Sequence, residues 1–139
     1  MPPSRVTTAL PHGILFVLDP THRKILVPQY DDNAVCSRNP TCISIAARAE
    51  VDGEVVVRFS EGPPPDGGTW IEVLREYPLE TPGRRLAVVT SEMVTLCESQ
   101  VNQQVTPVSI FVNPLESPDE IWIEMTDSAG HQASDGQNR

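Results

Sequence analysis

Between Thr41 and Ser60 the sequence TCISIAARAEVDGEVVVRFS alternates apolar and polar residues for longer than anywhere else in the chain, with a turn signal, Asp52-Gly53, in the middle. A period of two belongs to extended backbone, where successive side chains point to opposite sides. Ile43, Ile45, Ala47 and Ala49 share one side of the first arm, and Val55, Val57 and Phe59 share one side of the second. The stretch reads as a β-hairpin. A two-residue turn would put the two apolar sets on opposite faces of the sheet. A three-residue loop, Val51-Asp52-Gly53 with Gly53 at positive φ, instead pairs Ala49 with Val55, Ala47 with Val57 and Ile45 with Phe59, and gathers every apolar side chain on one face.

The flanking sequence extends the same reading. Residues 1–12 are rich in Pro, Ser and Thr without periodicity, which predicts a flexible N-terminal arm. Ile14–Leu18 is a continuous apolar run; with Asp19-Pro20-Thr21-His22 as the turn and Lys24–Val27 as the returning arm, it predicts a second hairpin. Gln29–Pro40 has the composition of a connecting loop, and the prolines and glycines of residues 61–68 exclude a sheet ladder there. Strands are expected at Thr69–Leu74 and Leu86–Thr90 with a bend over Tyr77–Gly83. Residues 92–98 fit a strand better than a short helix, because β-branched residues crowd a short span, and Ser99–Gln104 reads as a connector. Pro107–Val112 and Ile121–Met125 form a last hairpin in which Val112 faces Ile121, Ile110 faces Ile123, Val108 faces Met125, and Phe111 lies opposite Trp122 on the other face. Residues 126–139 offer almost nothing to bury and read as a disordered tail.

About seven or eight short strands, frequent turn signals and no convincing long helix predict an all-β fold over residues 13–125, an antiparallel β-sandwich in preference to a small barrel, with a core of Ile45, Ala47, Val57, Phe59, Ile110 and Ile123. A chain of 139 residues is long enough to bury such a core without disulfides or metals as staples. With no long apolar run, and three cysteines in no paired motif, the expected setting is the cytoplasm.

Charge narrows the partners. Residues 1–49 carry three acids against five bases, and residues 50–139 carry sixteen acids against five bases, or +2 and −11. A surface this acidic, with Lys24 the single lysine, disfavours nucleic acid and anionic membranes, whose binding depends on cations neutralising phosphates. The expected partner is a basic protein. Glu72, Glu76, Glu80, Glu116, Asp119, Glu120 and Glu124 would supply the charge, and Phe111 with Trp122 an apolar anchor, unless the loops at 61–68 or 98–106 cover those rings. A sugar- or small-ligand-binding module would use the same aromatics, joined by Trp70, and a homodimer would use a sheet edge.

Catalytic chemistry has little to stand on. His12, His22 and His131 lie at a strand foot, in a turn and in the tail, and nothing in the chain order makes them converge. Cys36 and Cys42 are too far apart for a zinc knuckle, and Cys97 has no ligand near it in sequence. The acids Asp31, Asp32, Asp66, Asp119 and Glu120 lack the spacing of a calcium loop and are turn formers in their own right. The expectation is a protein without catalytic residues, metal or cofactor, with a metal-dependent hydrolase as the competing class.

The segments ILFVLD (14–19), CISIAARAEVDGEVVVRFSE (42–61) and PGRRLAVVTSEMVTL (82–96) together resemble the layout of the bacterial competence protein J family of small cytosolic nuclease inhibitors. The likeness covers most of residues 13–125 and rests on strand spacing and apolar pattern. It implies a non-catalytic acidic β-protein that masks a nuclease by occupying its nucleic-acid-binding surface; no individual residue is carried over.

Overall fold

The computed structural model describes residues 4–29, 34–60, 62–65 and 68–126. Its ten strands are β1 (Ser4–Thr8), β2 (Ile14–Leu18), β3 (Cys36–Asn39), β4 (Cys42–Ala46), β5 (Val55–Ser60), β6 (Ile71–Glu80), β7 (Arg85–Thr90), β8 (Thr95–Gln100), β9 (Val105–Asn113) and β10 (Glu120–Met125). The first sheet has the order β1-β5-β10-β9-β6 and the second β3-β4-β2-β7-β8. All neighbours are antiparallel except β5 and β10. The core lies between the sheets: Leu15, Val17, Ile43, Ile45, Leu86 and Val88 of the second face Val57, Phe59, Ile110, Val112, Ile121 and Ile123 of the first. The expected all-β sandwich is therefore the fold. Among the described residues no helix is long and apolar enough to cross a membrane.

The central hairpin is not formed. β4 belongs to the second sheet, where Ile45 pairs with Leu15 and Cys36, and β5 belongs to the first, where Val57 pairs with Val6 and Ile121. The connection between them carries a single 3-10 turn, Glu50–Asp52, and passes the chain from one sheet to the other. Gly53 follows with φ 130° and ψ −168°, a conformation that a side chain excludes, so the glycine is needed for a different turn from the one expected. Ile45, Val57 and Phe59 are buried as expected and Ala47 is half-buried against them. Two apolar faces can share a core side by side in one sheet or face to face across two, and alternation reads the same either way.

The Ile14–Val27 hairpin is also absent. β2 is central in its sheet, with β4 on one side and β7 on the other, so no position remains for Lys24–Val27. That segment lies over the outer face of the second sheet instead. There Ile25 packs on Phe16, Leu18, Cys42, Ala87 and Val89, and the backbone of Leu26 is tied to Thr41 Oγ1 and Asn39 Nδ2. This cover explains the continuous apolar run of β2, which is buried on both faces.

Order begins earlier than expected. Ser4–Thr8, placed in the flexible arm by composition, is the edge strand β1 on β5, with Leu10 buried just after it. Likewise β3 lies within the expected connecting loop, and β8 runs on through Ser99 and Gln100. The bend at Tyr77 is a pair of register shifts inside β6, with Glu76 at φ 46°; the strand continues to Glu80, and Pro78 is tolerated because β6 is an edge. Residues 92–98 follow the strand reading only from Thr95, after a turn at Met93. The β9–β10 pairing agrees with the expected register at every pair. The expected tail, apart from Thr126, lies outside the described residues.

Candidate binding face

In the first sheet β5 and β6 are separated by β10 and β9, so the connection between them must cross about 14 Å, three inter-strand spacings. Residues 62–65 and 68–70, on that connection, lie over the outer face. The strands beneath them present a row that runs from one sheet edge to the other in register: Arg5, Arg58, Trp122, Phe111, Glu72. Bases stand at the β1 side, rings in the middle and an acid at the β6 side.

Trp122 is covered. Its indole Nε1 donates to the carbonyl of Gly62 at 3.0 Å, the Trp70 ring meets it edge to face at 5.6 Å, and the Arg58 guanidinium lies 5.8 Å from its ring centre. Only 7% of its surface remains exposed, which corrects its assignment as an apolar anchor for a partner. A buried indole keeps its N–H only with an acceptor, and the crossing segment brings that acceptor to it. Phe111, beside it on β9, is half-buried. Together with Trp70, Pro64, Pro65, Glu72 and Arg75 it lines a groove of about 450 Å³ along the edge of the cover.

Acidic side chains meet at the same place. Glu124 is paired with Ser109 across β10 and β9, and Ser109 Oγ accepts the backbone N–H of Glu76 from β6 at 2.8 Å. Partial burial, and then the charges of Glu76 and Glu72, push the carboxyl of Glu124 above its ordinary 4.5. Among the described residues the ion pairs are His22 with Glu80, Arg48 with Asp119 and Arg85 with Glu98, so none neutralises this trio. Because the folded-state value lies above the unfolded one, ionisation of Glu124 opposes folding. The penalty is absent below pH 4.5, grows as the pH rises through the folded value and is complete above it. Glu124→Gln is therefore expected to stabilise the protein at pH 7 by a few tenths of a kcal/mol. Thermal unfolding of both proteins at pH 7 and pH 4 checks this; a gain that persists unchanged at pH 4 contradicts it.

Of the other acids expected to act with these, Glu120 stands on the same face two residues before Trp122, and the rest lie elsewhere. Glu80 accepts from His22 Nε2 at 2.9 Å, Asp119 pairs with Arg48 at 2.9 Å, and Glu120 accepts from the Asn113 amide at 3.3 Å. Glu116 lines a separate mouth of about 700 Å³ with Leu115, Val35 and Val73, between β3 and β6. The nine residues picked from the sequence are thus several surfaces: Glu72, Glu76, Glu124, Phe111 and the covered Trp122 gather on one, with Glu120 farther along the same face. Arg58, Arg75 and the two prolines were missed. Their one signal was the length of the 61–70 segment, which acquires meaning only with the strand order.

Among the described residues no three of His, Cys, Asp and Glu come together as metal ligands. His22 accepts the Lys24 N–H on Nδ1, so the neutral ring carries its proton on Nε2, toward Glu80. His131, Asp31, Asp32 and Asp66 lie outside the described residues. Burial pushes the Cys42 thiol up to about 12 and the Cys36 thiol up to about 11, the latter against the opposing charge of Arg38; Cys97 is raised by burial as well. Thiols held this far from ionisation are poor nucleophiles and poor metal ligands. The fold and face define a two-sheet β-sandwich with a half-covered groove, aromatic on its floor and acidic along one side. No protein-family model, curated protein or solved structure matches the chain.

Proposed function

We propose that the protein is a non-catalytic binding protein that takes a basic protein partner on the outer face of its first sheet. The observation that carries this is the convergence of Glu72, Glu76 and Glu124 beside an open aromatic groove, without an ion pair to any of them among the described residues. Acids brought together at a cost to stability, next to ring surface, suit an interface that supplies the missing cations. Trp70 and Phe111 are the apolar contacts, with Trp122 holding Trp70 from below. A nuclease is a partner of the right chemistry, since a surface that binds phosphates is rich in Lys and Arg, and this agrees with the resemblance to nuclease inhibitors.

Affinity capture from the source cell tests the reading, run in parallel with the Glu72→Gln/Glu76→Gln/Glu124→Gln variant. Retention at about 0.05 M salt is expected to fall at least tenfold at about 0.5 M, where the screening length drops to a few ångströms. The variant is expected to lose the same partner at low salt while still unfolding cooperatively, at the same temperature or slightly higher. Capture indifferent to both salt and the variant would count against the acidic face, and a salt-insensitive ligand released by free sugars would favour a sugar-binding module in its place.

A further inference from the structure

The groove beside the glutamates carries a more particular chemistry than negative charge. Its walls are the rings of Trp70 and Phe111, the Glu72 carboxylate, and Pro64 and Pro65, which have no N–H and so present only carbonyl acceptors. Arg75 is the base in the lining; it is exposed, and three carboxylates stand nearby on the same face. Ring faces and acceptors together are satisfied by a cation.

We propose that this groove is a pocket for an arginine side chain of the bound partner, an inference that rests on the partner reading above. The same face already holds a guanidinium in this way. Arg58 lies over the Trp122 ring at 5.8 Å while its buried Nε has no hydrogen-bond partner among the described residues, so ring contact, rather than a complete set of hydrogen bonds, keeps it there. The platform is also fixed before any partner arrives: Gly62 holds Trp122, and Trp122 holds Trp70. Arginine is favoured over lysine because a planar guanidinium stacks on a ring and forks to a carboxylate, whereas a compact ammonium keeps its water.

Blocked hexa-arginine and hexa-lysine peptides, titrated into the full chain and followed by calorimetry and tryptophan fluorescence, separate the possibilities. Hexa-arginine is expected to bind about tenfold more tightly than hexa-lysine. Trp70→Leu and Phe111→Leu, each checked for an unchanged thermal transition, are expected to bring the two peptides to near parity by weakening only hexa-arginine. Glu72→Gln is expected to weaken both. Equal affinities in the unmodified protein, or an arginine preference that survives both ring substitutions, overturn the pocket and leave the acidic face standing. Failure of both peptides to bind overturns the pocket and the acidic face together.

Discussion

Ile45→Asp is expected to leave no cooperatively folded protein at 25 °C. Ile45 is fully buried between the sheets, on a strand flanked on both sides. The substitution removes apolar burial worth about 2–3 kcal/mol and places an unpaired carboxylate where desolvation costs several more. Together these approach the whole stability of a domain this size, about 5–15 kcal/mol. Circular dichroism and thermal unfolding check it, with two comparisons. Ile45→Val should cost about 1 kcal/mol and keep the transition. Val51→Asp, in the same alternating stretch but 92% exposed, should change stability by less than about 0.5 kcal/mol. A folded Ile45→Asp protein with an ordinary transition would mean that the two sheets do not pack through this residue.

The second large effect is expected at Asp19→Ala. Asp19 follows β2 directly and is wholly buried, unusual for a carboxylate. One oxygen accepts the backbone N–H and the hydroxyl of Thr21, both at 2.7 Å, and the other accepts the Gly83 N–H at 2.8 Å. It thus pins the turn after β2 to the turn between β6 and β7. The approach is close enough that a Cβ on Gly83 would stand 1.7 Å from Thr21 Oγ1, so only glycine fits there. Thr21 and Gly83 are exposed, so their freed donors turn to water, and alanine at 19 loses three hydrogen bonds at about 1 kcal/mol net each, a loss of about 3 kcal/mol and about 10 °C in melting temperature. Asp19→Asn should lose less, since its carbonyl oxygen can still accept from Thr21. Equal stability of Asp19→Ala and the unmodified protein would show that this clamp carries no weight in the fold.

These two residues mark what could be read from the chain. Asp19 was legible as turn chemistry, because Asp before Pro, Thr and His favours a turn wherever it occurs. Its partner Gly83 is 64 residues away, and no local rule connects them. Ile45 was legible as core, and so were Val57, Phe59, Ile110 and Ile123, because period-two alternation fixes which side of a strand is apolar. The β9–β10 hairpin was legible down to its register, since its apolar pattern and its short connection agree on one pairing.

Pairing across longer distances was not legible. Whether β4 and β5 lie side by side or face to face depends on competition: β2 and β3 take both edges of β4, and β1 and β10 take both edges of β5. The candidate face follows from that competition. Once β10 and β9 stand between β5 and β6, the connection from β5 to β6 has to cross them, and only then is Trp122 covered, Trp70 set on top of it, and Glu72, Glu76 and Glu124 gathered beside the groove. The sequence by itself determined the class of fold, the inward face of most strands and the acidity of the surface, all of which follow from neighbours within a few residues. Tertiary structure alone decided strand order, and with it which acids and rings meet, because many pairings bury the same apolar faces and the choice among them is a property of the whole chain.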